Sequence, residues 1–123
     1  MKPSARHRNE SAMDRMTTTA ALEKLRNEHG APFTGLLRHG SLEVEVYKPE
    51  QVDDQQPHTR DEIYVVISGS GYFVNGETRQ PFEPGEVLFV PAGIAHRFEQ
   101  FTPDFATWVF FYGPEGGEDG GQG

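Results

Sequence analysis

Residues 85–96 read Gly-Glu-Val-Leu-Phe-Val-Pro-Ala-Gly-Ile-Ala-His, and this stretch decides the fold. The run at 86–90 has the length and composition of a β-strand. It follows Pro84-Gly85, a pair that suits the middle of a type II turn. The Pro-Ala-Gly that ends the run is a second turn, which returns the chain so that His96 opens another strand. The stretch therefore predicts two strands joined by a tight turn.

Strand patterns continue on both sides of this stretch. Residues 41–47, SLEVEVY, alternate apolar and polar side chains, and residues 62–68 and 71–74 follow as further strands. Asn75-Gly76 is the pair most favoured in two-residue hairpin turns. With the runs at 95–98 and 107–112, at least six short strands are separated by turn residues. The pattern favours an all-β sandwich or closed barrel.

A single helix is predicted before the strands, over residues 17–29. Thr18 or Thr19 is expected to cap its start, and Leu22 and Leu25 share one face. A Gly-x-Pro sequence directly after it ends the helix. We expect the helix to pack against the strands and to take no part in chemistry.

The chain has room for one domain. Residues 1–16 are polar without an apolar period and are expected to be a disordered tail, residues 17–112 form the domain, and residues 113–123 are a flexible, Gly-rich tail. The strand at 62–68 is apolar on both faces at its centre, which suits an inner face lining a barrel and an outer face covered by the helix or a second subunit. We therefore predict a homodimer.

Composition excludes several classes of protein. Cysteine is absent, so any metal must be held by nitrogen and oxygen. Residues 1–16 carry a net charge of +2, so the remainder carries −10 of the total of −8, and such an acidic domain repels nucleic acid. No apolar run is long enough for a membrane helix, and the first thirty residues lack a secretory signal. We expect a soluble, cytoplasmic protein.

Candidate chemistry lies in residues 56–62, QPHTRDE, and at His96. If the first segment is extended, Gln56, His58 and Glu62 fall on one face. Imidazole and carboxylate are ligands for divalent manganese, iron, nickel or zinc. Two histidines with one carboxylate also leave coordination positions open for a substrate. The open alternative is a metal-free, hydrogen-bonded polar cluster.

Two gapped motifs make the chain resemble the cupin superfamily. Residues 58–69 fit His-x3-Glu-x6-Gly, and residues 85–96 fit Gly-x5-Pro-x-Gly-x2-His, with Gln100 where asparagine is expected. The resemblance covers roughly residues 40–112. It implies a double-stranded β-helix, the jelly-roll or cupin barrel of a small single-domain cupin, with one short N-terminal helix.

The resemblance also implies a ligand set, with two departures from the family pattern. Gln56 stands where the first histidine ligand usually lies, and Glu50 replaces the initial glycine. The metal ligands it implies are Gln56, His58, Glu62 and His96. Gln55 or a water replaces Gln56 if Pro57 shifts the register.

Three further residues are expected at the pocket. Tyr64 and Phe98 lie two residues beyond Glu62 and His96, so we expect them to face the same interior. Arg60 shares parity with Glu62 and is a candidate to reach an anionic ligand.

The resemblance leaves three functions open. One is a metal-dependent enzyme acting on a small organic molecule, of dioxygenase, isomerase or decarboxylase type, and another is a binding or sensing module without turnover. The third, a metal-free sugar epimerase, needs a positively charged site for nucleotide phosphates. Only seven Lys and Arg residues lie outside residues 1–16, which disfavours it.

Overall fold

The computed structural model describes residues 15–119. The predicted tail therefore lies outside the described residues at positions 1–14, as do residues 120–123 at the other end. The elements are α1 (Thr18–Arg26), β1 (Phe33–His39), β2 (Leu42–Tyr47), β3 (Asp61–Ser68), β4 (Gly71–Asn75), β5 (Thr78–Phe82), β6 (Val87–Val90), β7 (His96–Glu99) and β8 (Ala106–Tyr112). Within the described range, no helix is long and apolar enough to cross a membrane.

The strands form two antiparallel sheets. The larger has the order β1-β2-β8-β3-β6 and the smaller the order β5-β4-β7. Aromatic side chains from both sheets meet between them, since the ring of Tyr64 lies 4.9 Å from that of Phe98 and 5.8 Å from that of Phe73. This arrangement confirms the predicted all-β barrel with one short helix.

The helix is shorter than predicted. Its N-cap is Thr17, whose hydroxyl accepts a hydrogen bond from the backbone N–H of Ala20 at 3.1 Å, and not Thr18 or Thr19. Thr17 is the last residue with extended backbone, so it alone can place its hydroxyl over the free N–H groups of the first turn. The helix ends at Arg26, before His29, where the backbone has a positive φ.

Strand β2 alternates as predicted, and its apolar face lies outside the barrel. Val44 and Val46 pack with Leu25 and other residues in a cluster between the larger sheet and α1. The opposite, partly polar face presents Glu45 and Tyr47 to a cavity in the barrel. The helix thus covers one part of the outer surface and leaves the polar face to line the interior.

Part of the Gly-rich C-terminal segment is hydrogen-bonded to the barrel. The backbone N–H of Gly116 donates to the carbonyl of Thr59 at 2.6 Å, and that of Glu118 donates to the carboxylate of Asp61 at 2.7 Å. These bonds hold residues 113–119 beside the start of β3, next to the candidate chemical residues.

Gly69 closes the first motif at a point of close backbone approach. It has a φ of +85°, and a Cβ added there would lie 2.5 Å from the Cα of Phe105. Gly40 also has a positive φ, of +60°, but a Cβ there would meet nothing within 4 Å. The two glycines share the backbone requirement and differ in the space beside them.

We expect Gly69→Ala to lower the free energy of unfolding by at least about 2 kcal/mol more than Gly40→Ala does, because the Phe105 backbone must move to admit the methyl group. Urea denaturation of both variants and the wild type measures the difference. Equal losses in the two variants would contradict the close approach.

Candidate metal centre

Three side chains from separate parts of the chain meet inside the barrel. Glu62 belongs to β3, His96 opens β7, and His58 lies in the segment before β3. One potential ligand atom from each lies within 4.8 Å of the others. The Oε1 atom of Glu62 is 3.2 Å from Nε2 of His96 and 3.8 Å from Nε2 of His58. Glu62 and His96 each occupy a strand position whose side chain points to the inner face of the barrel, and both are buried there.

Two atoms at this centre are buried without a hydrogen bond. Although Oε1 of Glu62 and Nε2 of His96 are close, their alignment is too poor for a hydrogen bond, and neither has another partner among residues 15–119. The Nδ1 atom of His96 lies 2.8 Å from the carbonyl oxygen of Ile94. A carbonyl only accepts, so Nδ1 carries a proton, and in the neutral ring the lone pair of Nε2 faces Glu62. A divalent cation would satisfy both orphaned atoms, and the donor set fits one.

The surroundings move the pKa values of the two histidines in opposite directions. Burial lowers the pKa of His58 and outweighs the opposing attraction of the Glu62 carboxylate. Burial also acts to lower the pKa of His96, but Glu62 and the Ile94 carbonyl together raise it above its ordinary value. His58 is therefore held in the neutral form that a metal ligand requires.

Gln55, and not Gln56, reaches the centre. The side chain of Gln56 is exposed, whereas Oε1 of Gln55 lies 3.0 Å from Nε2 of His58 and accepts a hydrogen bond from the Tyr64 hydroxyl at 3.1 Å. The segment at 51–60 pairs with no strand, so the two-residue alternation that would have put Gln56 beside His58 does not apply.

Asp53 holds this segment in place, although no local pattern in the sequence marks it as a buried residue. Its buried carboxylate accepts hydrogen bonds from the Tyr47 hydroxyl, the backbone N–H of Phe98, and both the backbone N–H and the side-chain amide of Gln55. Because the amide nitrogen of Gln55 donates to Asp53 at 2.7 Å, the amide oxygen is turned toward His58. Asp53 thus sets the orientation of Gln55.

A cavity of about 350 Å³ opens beside the three clustered side chains. Tyr64 lines it together with His58 and Glu62. Phe98 is buried in the aromatic core behind Tyr64 and is not a lining residue. Of the three residues predicted at the pocket, the structure therefore brings only Tyr64 to the cavity wall.

Arg60 is directed to the rim of the barrel. Its Nε donates to the carbonyl of Gly113 at 3.2 Å, and Nη1 lies 3.5 Å from the carboxylate of Glu43. Its Nη2 is buried and has no hydrogen-bond partner within the described part of the chain. Arg60 does not line the cavity, so this geometry gives it no contact with a ligand bound there.

The fold and the site define a jelly-roll barrel with an interior cluster of imidazole and carboxylate groups. A family model described as "Cupin domain" matches residues 43–112, and the chain belongs to this family. The match contains both motifs and all three clustered residues.

Three individual proteins are also similar to this chain. An uncharacterized protein of Streptomyces coelicolor is 33% identical over 96 residues, which cover 76% of this chain and 91% of that protein. An acireductone dioxygenase of Ixodes scapularis is 30% identical over 84 residues, 63% of this chain and 46% of that protein. The crystal structure of a cupin-2 domain containing protein from Shewanella frigidimarina superposes with a TM-score of 0.59 at 16% identity, covering 79% of this chain and 94% of that one.

The buried carboxylate of Asp53 generates a stability prediction. We expect Asp53→Ala to lower the free energy of unfolding by about 3 kcal/mol, because it leaves several donors unpaired, including the buried N–H of Phe98. The neighbouring Asp54 is exposed, so Asp54→Ala is the matched control and is expected to change stability by less than about 0.5 kcal/mol. Chemical denaturation measures both, and similar small losses would contradict the anchoring role.

Proposed function

We propose that this cupin binds one divalent transition metal ion in the barrel and acts on a small organic molecule held in the adjoining cavity. The observation that carries the proposal is the pair of buried, unpartnered atoms, Oε1 of Glu62 and Nε2 of His96, facing each other beside His58. Burying two such polar atoms without partners costs free energy of folding unless another group binds to both of them.

His58, Glu62 and His96 would hold the ion, and Gln55 would supply a fourth, oxygen ligand. The proton that His58 now shares with Gln55 at Nε2 would move to Nδ1, which frees Nε2 as a ligand. The Tyr64 hydroxyl remains a hydrogen-bond donor to Gln55, and burial raises the pKa of Tyr64 well above its ordinary value, so this phenol stays protonated. When bound, the ion would supply a Lewis-acidic or oxygen-activating centre beside the cavity.

The type of reaction we propose is a metal-dependent dioxygenation. Its support is the 30% identity to an acireductone dioxygenase, of which this chain spans about half, 46% of the length. Because the match is partial, the substrate of that protein is not carried over. Oxygen-dependent turnover of a small organic molecule would distinguish a dioxygenase from a module that binds its ligand without converting it.

Metal content tests the proposal directly. We expect protein incubated with manganese, iron, nickel or zinc salts and then desalted to retain close to one ion per chain, and His58→Ala and His96→Ala to remove most of it. Elemental analysis measures the content, and a thermal shift provides a second readout because a ligand that binds only the folded state raises the melting temperature. Wild-type protein that retains none of the four metals would overturn the proposal.

The adjacent glutamines provide a matched pair. Gln55→Ala is expected to weaken metal affinity by about 10–100-fold, because it removes the proposed oxygen ligand, whereas Gln56→Ala leaves it unchanged. Competition with a chromophoric chelator measures both affinities. A larger loss in the Gln56 variant would contradict the assignment of Gln55.

We further propose that the chain is a cytoplasmic homodimer that binds no nucleic acid. Support for the dimer comes from strand β6 at the edge of the larger sheet, where Val87 is 65% and Phe89 49% exposed. These residues pair with Val65 and Ile63 of β3, so the outer face is apolar across two strands. Such a patch is typical of a protein interface. The absence of cysteine supports the cytoplasmic location, and the negative charge of the domain supports the proposal that it binds no nucleic acid.

The dimer is tested by placing charge on this patch. Wild-type protein is expected to sediment as a dimer, and the double variant Val87→Asp, Phe89→Asp as a monomer, because two buried charges would oppose the interface. Thr78→Asp, at an exposed position of the smaller sheet, serves as the control and should stay dimeric. A monomeric wild type would contradict the dimer without affecting the metal proposal.

A further inference from the structure

The cavity beside the metal centre combines aromatic rings with carboxylates. Four aromatic side chains line it, namely Phe33, Tyr47, Tyr64 and Phe111. Three carboxylates line it as well, those of Glu45, Asp54 and Glu62. Its lining residues include no Lys or Arg. The wall therefore combines negative charge with aromatic rings and has no Lys or Arg to balance the charge.

Whereas Asp54 is exposed, Glu45 is a partly buried carboxylate of this wall. It lies on the inner face of β2, where it pairs with Val109, the residue that in turn pairs with Tyr64. Among the described residues, its carboxylate has neither an ion-pair nor a hydrogen-bond partner, whereas the nearby Glu43 is paired with both Arg38 and Arg60. Burial, and then the charges of Glu43 and Glu62, raise the pKa of Glu45 to about 7.

We propose that the cavity binds a small organic ammonium cation, with its positive charge beside Glu45 and its alkyl groups against the aromatic rings. A cation within reach of a poorly solvated carboxylate gains more than it would in water. Aromatic faces attract alkylated ammonium groups through the ring quadrupole, and each face also buries their methyl groups. This inference rests on the proposed function, because it assigns the class of molecule held next to the metal centre.

The same wall disfavours an organic anion. In the protein without metal, a carboxylate or phosphate in the cavity would meet Glu45 and Asp54 with no lining Lys or Arg to offset them. Arg60 is bound instead to Gly113 and Glu43. Charge therefore selects among small molecules that the cavity volume alone would admit.

A charged and neutral pair of probes of the same shape tests the proposal. Choline and 3,3-dimethyl-1-butanol differ in the replacement of the quaternary nitrogen by carbon, and both carry one hydroxyl. We expect choline to bind at least about tenfold more tightly than the alcohol, because only the cation gains from Glu45 and the aromatic rings. Calorimetric or ligand-observed NMR titrations are carried out on chelator-treated and on zinc-treated full-length protein.

Variants assign the preference to this wall. Glu45→Gln is expected to lower choline affinity about tenfold and to change the affinity for the alcohol less than about twofold. Glu43→Gln, a carboxylate change on the same strand at an ion-paired position, should keep the preference. Because ionised Glu45 opposes folding, Glu45→Gln should not lower the melting temperature, so a loss of binding cannot be a loss of fold. Phe33→Leu, at a half-exposed lining residue, should weaken choline selectively.

Equal binding of the two probes, tighter binding of the alcohol, no saturable binding of choline, or an unchanged preference in Glu45→Gln would each overturn the inference. The metal proposal fails separately: a choline preference in protein that retains no metal would uphold the cation site while overturning the metal centre. Metal retention without a choline preference would uphold the metal centre and overturn the cation site.

Discussion

Two buried polar atoms that lack partners are the constraint on which the rest of the site depends. Oε1 of Glu62 and Nε2 of His96 lie 3.2 Å apart in the barrel interior, without a hydrogen bond. A core that only had to be stable would replace them with apolar groups, since unpaired polar atoms are costly. Their presence among two imidazoles and a carboxylate is what makes a cation the natural third partner and the adjoining cavity a place for chemistry.

Around this point, the rigid sheets and the irregular segment have different tasks. The sheets carry Glu62, Tyr64 and Glu45 at neighbouring in-register positions, so their relative placement follows from strand pairing. The segment before β3 supplies His58 and Gln55; the buried carboxylate of Asp53 orients Gln55, and the carbonyl of His58 accepts a hydrogen bond from the backbone N–H of Gly93 at 2.7 Å. One side of the site is thus held by strand pairing, and the other by a side-chain anchor together with isolated backbone hydrogen bonds.

The two motifs predicted much of the site because they concern residues in or next to strands and turns. Glu62 and Tyr64 alternate inward as a strand requires, and His96 follows a Pro-x-Gly turn that fixes where its strand begins. The assignment of Gln56 to the cluster relied on an extended segment, and there the backbone leaves the sheet, so the side-chain period of two no longer holds. Asp53 was not found because nothing local distinguishes a buried anchoring carboxylate from an exposed one.

The sequence by itself determined the all-β architecture, the positions of six of the eight strands, and which residues of those strands share a face, because these follow from local alternation and turn chemistry; β1 and β5 were not assigned from it. Only the tertiary structure decided which face of β2 points inward. Its apolar face packs under the helix, and its partly polar face, with Glu45 and Tyr47, lines the cavity. Alternation distinguishes two faces and cannot say what covers each, because that depends on where the helix docks and on long-range strand order.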